Sequence, residues 1–105
     1  MLKLDKQNRL RIPKKLMKSA DTNFEKEVKI YRHPHTCNEF YLDNSQNSIT
    51  SFIYDEGTAK IDNKGYLYFD EILQDVLNIF PSITYFSIYL QNGKVTFKTI
   101  LSLEE

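Results

Sequence analysis

Five cations near the N-terminus are the side chains of this sequence with the clearest chemistry. They occupy a window of ten positions: Lys6, Arg9, Arg11, Lys14 and Lys15. Lysine and arginine neutralise phosphates and release the counterions around them, so such a group is typical of a surface that binds a polyanion. An arginine at the start of a strand can also donate to the O6 and N7 edge of guanine. The alternative interpretation is an ordinary solvated face.

The charges are distributed unevenly, although the formal net charge is zero. Up to Thr36, ten lysines and arginines stand against four carboxylates, which gives +6. From Cys37 onward, four lysines stand against ten carboxylates, which gives −6. This asymmetry indicates a half that attracts polyanions and an acidic half, or two halves that neutralise each other in the fold.

The segment from His33 to Cys37 suggests a metal site or a nucleophile, because it contains both histidines and the only cysteine. In an extended strand, alternate side chains stand about 6.6 Å apart, too far for several to reach one ion. A turn at Pro34 could bring the histidines together, but no further histidine or cysteine exists to complete a site. The segment is therefore interpreted as a loop between two strands, without a metal.

Two pairs of adjacent carboxylates are interpreted as solvated or helix-capping groups rather than as a catalytic pair. They are Asp55 with Glu56 and Asp70 with Glu71. The three glycines form no phosphate-binding loop. We therefore expect a protein that is not an enzyme and has no cofactor.

The size and composition predict one folded domain. The chain has 105 residues, with seven tyrosines, seven phenylalanines and no tryptophan, which favours strands. No apolar run approaches the roughly 20 residues needed to cross a bilayer, and the N-terminus has no apolar export segment. One cysteine cannot form an internal disulfide, so we expect a cytoplasmic protein without membrane contact.

The sequence contains an internal repeat. Residues 4–16 align without gaps on residues 61–73, an offset of 57 positions, and after one extra residue 28–31 fall on 86–89. Each copy predicts a strand, a polar turn, a second strand, a short helix and two further strands. Asp5 and Asp62 begin the turns, where an aspartate can accept from the amide two residues on. Asn8 and Gly65 take the later turn position, and both residue types tolerate positive φ.

Signals for the ends of the helices follow in each copy. Pro13 suits the first turn of the first helix, Asp70 can cap the second, and Pro81 is expected to end it. The apolar helical stripes are predicted at Leu16 and Met17, and at Leu73, Val76, Leu77 and Phe80. The Gln-Asn-Gly-Lys sequence at 91–94 predicts a hairpin.

The predicted organisation is a single domain over residues 1–105. It comprises a first repeat at 1–43, a connector at 44–57, in which 49–54 allow an extra strand, and a second repeat at 58–103. A unit of about 50 residues buries too little surface to be stable alone, and its sheet edges are open. We therefore expect a mostly β, α+β fold in which the two units interlock as one barrel with two short helices.

Residues 4–16 resemble the N-terminal signature of the AbrB, MazE and SpoVT family: an aspartate, a turn with glycine, an arginine, an apolar strand, and Ile-Pro before a short helix. The tandem arrangement, with Asp5 four residues before Arg9, is similar to that of MraZ. The resemblance covers residues 2–20 and 59–78. It implies a swapped-hairpin β-barrel of two tandem β-β-α-β-β repeats, with one basic face against double-stranded DNA. The contact residues that it implies are Arg9, Arg11, Lys14 and Lys15, with Lys6 flanking them.

The second copy departs from this signature. Tyr66 stands where an arginine is expected, and Tyr68 stands at the position equivalent to Arg11. Asp70 and Glu71 take the positions of the proline and lysine, and in the first copy Asn8 replaces the usual glycine. Half of the expected basic face is therefore missing, and we expect two chains to associate on one operator.

These observations predict a cytoplasmic, DNA-binding transcriptional regulator that acts as a homodimer or higher homo-oligomer. The alternative is a protein-interaction module, antitoxin-like or partner-docking, whose acidic second repeat binds a basic protein or screens the first repeat from DNA. A third interpretation is a barrel that survives without DNA contact.

Overall fold

The computed structural model describes residues 2–44 and 53–102, which we call the first half and the second half. The described elements, in chain order, are β1 (Arg9–Arg11), α1 (Lys14–Ser19), β2 (Glu27–Arg32), β3 (Glu39–Asp43), β4 (Tyr54–Ile61), β5 (Tyr66–Tyr68), α2 (Glu71–Leu77), β6 (Thr84–Gln91) and β7 (Lys94–Leu101). The expected mostly β, α+β class is confirmed. Neither described helix is long and apolar enough to span a bilayer.

All described strands belong to one antiparallel sheet in the order β1-β5-β4-β2-β3-β7-β6. The sheet curls into a half-barrel. The two halves are interleaved in it, since β1 pairs with β5, β2 with β4, and β3 with β7, while the other neighbours come in pairs from one half. An isolated bridge between Leu2 and Phe86 joins the N-terminal segment to β6.

Four phenylalanines form the centre of the core. Phe40, Phe69, Phe86 and Phe97 are each at most 2% exposed. The ring of Phe97 lies 5.3 to 5.9 Å from the other three ring centres. Phe40 comes from the first half and the others from the second, so neither half contains this cluster alone.

The predicted turn chemistry is confirmed in both halves. The Asp5 carboxylate accepts from the amides of Gln7 and Arg9, each at 2.9 Å. Asp62 accepts likewise from the amides of residues 64 and 66, at 3.0 and 2.9 Å. Asn8 and Gly65 have φ values of 59° and 93°. These turns fix where β1 and β5 begin.

The cap of α2 agrees with the sequence, whereas Pro13, predicted in the first turn of α1, lies just before that helix, and the predicted end of α2 was wrong. Pro13 directly precedes α1, and the Asp70 carboxylate caps α2 by accepting from the Leu73 amide at 2.9 Å. The helix ends before Asn78, which has a φ of 56°, three residues before Pro81. Asparagine tolerates this left-handed conformation, which cannot continue a right-handed helix.

The apolar stripe of α2 was only partly predicted. Leu73 and Leu77 are buried, whereas Val76 and Phe80 are 46% and 51% exposed. Two leucines four positions apart already fill the face that packs on the sheet. Val76 precedes Leu77 by about 100° around the helix and faces outward. Phe80 lies beyond the end of the helix.

The second half begins its strands earlier than predicted. β4 starts at Tyr54, so Asp55 and Glu56, assigned from the sequence to the connector, lie in a strand that pairs with β2. Residues 45–52 of that connector, which include four of the six residues of the extra strand predicted at 49–54, lie outside the described residues. The hairpin at 91–94 is confirmed, with Asn92 and Gly93 at φ values of 52° and 78°.

We predict that the two equivalent turn positions differ in their tolerance of a side chain. A Cβ at Gly65 would lie 2.7 Å from the Ile12 carbonyl oxygen, and its φ is positive. Gly65→Ala should therefore lower the free energy of unfolding by about 1–3 kcal/mol. Asn8→Gly should change it by less than about 1 kcal/mol, because glycine accepts the same conformation. Urea unfolding followed by circular dichroism checks both, and equal stabilities for the two variants would contradict the geometry.

Candidate nucleic-acid interface

The pairing of β1 with β5 builds the centre of the candidate site. Arg9 lies opposite Tyr68, Leu10 opposite Leu67, and Arg11 opposite Tyr66. The two leucines are 1% and 0% exposed and belong to the core. Because neighbouring residues of a strand point to opposite faces, both arginines and both tyrosines lie on the outer face of this strand pair.

Arg9 is held in place by contacts from both halves. Its Nε donates to the Asp5 carboxylate at 2.8 Å, and its guanidinium carbon lies 4.1 Å from the centre of the Tyr66 ring. The Tyr68 ring centre is 5.9 Å away. A guanidinium within about 6 Å of an aromatic ring is attracted to its π face. Arg9 is consequently ordered before any ligand arrives.

Tyr66 lies between the two arginines. The guanidinium carbon of Arg11 is 5.5 Å from its ring centre, on the strand position directly opposite. Arg11 is exposed, whereas Arg9 and Tyr66 are half-buried. The ring thus brings two positive charges onto one surface and partly offsets their mutual repulsion.

The other three predicted site residues flank this centre along the chain. Lys6 lies in the turn before β1, and Lys14 and Lys15 form the start of α1 directly after it. All three are exposed. The shared ring of Tyr66 groups the two arginines, whereas the three lysines are grouped with them only by their proximity in the chain.

In both turns, hydrogen bonds stabilise the charged form of the aspartate. Burial of Asp5 would raise its pKa, but hydrogen bonds from the Arg9 amide and guanidinium and from the Gln7 amide lower it below 3.8. The amides of Tyr66 and Lys64 lower the pKa of Asp62 in the same way, and the Tyr68 hydroxyl adds a hydrogen bond at 3.3 Å. Tyr68 and Asp5 raise the pKa of Arg9. The arginine therefore stays cationic, with its charge partly balanced by Asp5.

Two cations elsewhere in the first half are paired with carboxylates of the second half. Lys29 lies 2.8 Å from Asp55, and Arg32 lies 3.3 Å from Glu56. In the opposite direction, Lys94 of the second half lies 2.6 Å from Asp21 and 2.9 Å from Asp43. Over residues 2–44 and 53–102, no ion pair involves Lys6, Arg11, Lys14 or Lys15. The exposed cations in and beside β1 and α1 are therefore available to a ligand, as are Lys3, Lys26, Lys60, Lys64 and Lys98, which also form no ion pair within the described residues.

Two participants were not in the predicted site. Asp5 was interpreted as a turn residue, but it also binds the guanidinium of Arg9. Tyr66 was treated as a lost arginine, whereas it contacts both arginines. A signal for Tyr66 exists in the sequence, because the repeat aligns it with Arg9 and interlocked copies would bring their second strands together. No sequence signal distinguishes the second role of Asp5.

The segment from His33 to Cys37 lies between β2 and β3, as predicted for a loop. The His33 ring lies 5.3 Å from the Tyr41 ring, and Cys37 is exposed. Within the described ranges, no group of three or more histidine, cysteine, aspartate or glutamate side chains could hold a metal ion.

Comparisons with protein-family models, curated proteins and solved structures find no match for this chain. A function must therefore be inferred from the contacts described above.

We predict that Asp5 contributes to stability at neutral pH and loses this contribution in acid. Its pKa is depressed in the folded state, so its contribution is present above the pKa of the unfolded chain and disappears as the pH falls through the folded pKa. Asp5→Asn should be less stable than the wild type near pH 7, and the difference should shrink toward about pH 2. Urea unfolding at several pH values measures it, with Asp75→Asn, at an exposed helix position, as the control. A difference independent of pH would contradict this account.

Proposed function

We propose that this protein is a DNA-binding regulator of AbrB/MraZ-like type, acting in the cytoplasm as a homo-oligomer. The observation that carries the proposal is the outer face of β1 and β5, where Arg9 and Arg11 flank Tyr66. The proposed contact residues are those predicted from the sequence: Lys6, Arg9, Arg11, Lys14 and Lys15. The phosphate backbone is the ligand that such a surface fits best.

The proposal includes a duplicated, swapped-hairpin fold, and the strand register supports it. Under the offset of 57, Arg9 is equivalent to Tyr66, Leu10 to Leu67 and Arg11 to Tyr68. Leu10 therefore pairs with its own counterpart, and the pairs Arg9–Tyr68 and Arg11–Tyr66 are equivalent to each other, as an approximate twofold axis through the leucine pair requires. The Ile12 amide donates a hydrogen bond to the Gly65 carbonyl at 2.8 Å. The equivalent hydrogen bond of the other copy runs from the Phe69 amide to the Asn8 carbonyl, at 2.9 Å.

A second set of pairs obeys the same relation. Leu2 pairs with Phe86, and its counterpart Ala59 pairs with Val28, the counterpart of Phe86 after the one-residue insertion. In both cases the segment before the aspartate turn of one copy pairs with a strand of the other copy. This exchange is what a swapped-hairpin barrel requires.

In this proposal the exposed cations provide the affinity for DNA, and the contacts of the Tyr66 ring hold the arginine side chains in place. Four of the proposed contact residues can each neutralise a phosphate without first breaking an ion pair: Lys6, Arg11, Lys14 and Lys15. Arg9 keeps its remaining guanidinium N–H groups for a phosphate or a guanine edge while Asp5 holds its Nε. Because Arg9 is already fixed, binding costs less side-chain entropy.

The second half lacks the cations for an equivalent contact. At the positions of Arg9, Arg11 and Lys14 it carries Tyr66, Tyr68 and Glu71. One chain therefore presents one basic surface, and two chains are proposed to occupy one operator.

We predict that Arg11→Ala weakens binding to duplex DNA about five- to tenfold and lowers the log–log salt slope by about one. The loss of one phosphate contact is the reason. Fluorescence anisotropy with mixed-sequence genomic duplexes at two salt concentrations measures both quantities.

The matched control is Lys98→Ala, which also removes one exposed cation but from β7 of the second half. It should leave affinity and slope nearly unchanged. Arg9→Ala should also weaken binding without unfolding the chain. Equal affinities for the Arg11 and Lys98 variants, or no binding by the wild type at low salt, would remove the proposed interface.

A second candidate function is favoured by the outer face of α2. Ile72 is 74% exposed and Val76 46%, whereas the equivalent positions of α1 carry Lys15 and Ser19. Exposed apolar side chains beside the carboxylates of Glu71 and Asp75 fit a docking surface for a basic protein. Under this alternative a protein complex would withstand salt and be lost in Ile72→Lys, while DNA would not bind.

A further inference from the structure

β6 is the last strand at one end of the described sheet, and it lacks a partner along most of its outer side. On one edge it pairs with β7 over all eight residues, from Thr84 to Gln91. On the other edge it has the single bridge to Leu2, in which the Leu2 and Phe86 amides each donate to the other residue's carbonyl, at 3.0 and 2.6 Å. Beyond Phe86, no described residue pairs with this edge.

The equivalent strand of the first half shows what is missing. β2 pairs with β3 on one edge and with β4 on the other, as far as Arg32 opposite Tyr54. Under the repeat alignment, Ile30 and Arg32 correspond to Ile88 and Leu90. The edge that β4 covers on β2 is therefore open on β6 in the described part of the chain.

The contacts of the two helices also differ between the halves, in the way expected if a strand beside β6 is absent. α2 contacts β4, and a Cβ at Gly57 of that strand would lie 3.0 Å from the Leu73 side chain, which is 4% exposed. In the first half α1 contacts β6 itself, and Leu16, the counterpart of Leu73, remains only half-buried. A strand beside β6 would lie where β4 lies beside β2.

The open edge carries none of the features that keep strand edges apart. Thr84–Gln91 contains no charged residue and no proline, and Leu90 is 38% exposed. Natural sheets protect long edges with lysine, proline or a short strand, and an unprotected apolar edge pairs with another strand. An uncharged strand meets no like-charge repulsion from an identical copy, and it carries no cation that could neutralise a phosphate.

We infer that β6 is a self-association edge, at which two copies of the chain pair their β6 strands antiparallel across a twofold axis. The amide and carbonyl of Phe86 point to the open side, so those of Ile88 and Leu90 do as well. A register centred on Tyr89 places Ile88 opposite the partner's Leu90 and leaves the bridge at Phe86 intact. It forms four backbone hydrogen bonds and continues the sheet from one chain into the next.

The first test measures self-association without DNA, so its outcome is independent of the proposed nucleic-acid contact. Sedimentation velocity from about 10 µM to about 1 mM should show a monomer–dimer equilibrium. Leu90→Lys places a charge opposite Ile88 in each chain and should weaken the dimer at least about tenfold. Leu101→Lys makes the same change at a 47% exposed position on β7, which has partners on both edges, and should have no effect.

The second test reads the register by disulfide trapping in a Cys37→Ser background. Ser87 and Gln91 lie opposite each other in the inferred register, as a non-hydrogen-bonded pair with Cα atoms about 4.5 Å apart, within disulfide range. A mixture of Ser87→Cys and Gln91→Cys chains should cross-link under mild oxidation. Either variant alone should not, because its two cysteines would be about 13 Å apart.

Four results would overturn the inference. They are a wild-type chain that stays monomeric over the whole concentration range, equal effects of the Leu90 and Leu101 variants, a dimer lost only in Leu101→Lys, and cross-linking of either single cysteine variant as readily as of the mixture. Circular dichroism spectra matching the wild type establish that the variants are folded. A dimer with the expected cross-link that fails to bind DNA would sustain this inference and remove the proposed function.

Discussion

The pairing of β1 with β5 is the interaction on which the rest of this molecule depends. Each strand has three residues, too few to be stable alone. They persist because aspartate-centred turns precede both and because Leu10 and Leu67 are buried beneath them. Hydrogen bonds at their ends, from Ile12 to Gly65 and from Phe69 to Asn8, complete the ladder. Without this pairing Arg9 and Tyr66 would not meet, and the outer face would be a set of unrelated side chains.

Charge is organised by the same interlocking of halves. Where β2 and β4 run together, Lys29 meets Asp55 and Arg32 meets Glu56. Partly exposed ion pairs of this kind contribute little to stability. They affect where positive charge remains on the surface, because they neutralise first-half cations that lie away from β1. Thus the halves neutralise each other along β2, as one interpretation of the charge asymmetry expects, while Arg11 and the neighbouring lysines form no ion pair within the described residues.

How much could be predicted from the sequence depended on whether a signal was local. The turn at Asp5 and the hairpin at Asn92 were predictable, since residue type alone sets the backbone conformation there. Val76 was misassigned because helical periodicity shows that a stripe exists but not how much of it the sheet can cover. Asp55 was misassigned because its strand is set by pairing with β2 rather than by its own residues. The stacking of Tyr66 on Arg9 joins side chains 57 positions apart, so only the internal repeat, and no local signal, pointed to it.

The pairing of β1 with β5 has a consequence for biosynthesis. β1 can complete its ladder only after Tyr66–Tyr68 has left the ribosome, so closing the intervening loop costs entropy before any contact stabilises it. At about 5–20 residues per second, roughly 3–12 s pass between the synthesis of the two strands. During that interval the nascent first half exposes Leu10 and Ile12 to water and to neighbouring chains. Proteostasis factors that shield short apolar segments would act on this protein at that stage, and a pause in translation after β4 would lengthen its exposure.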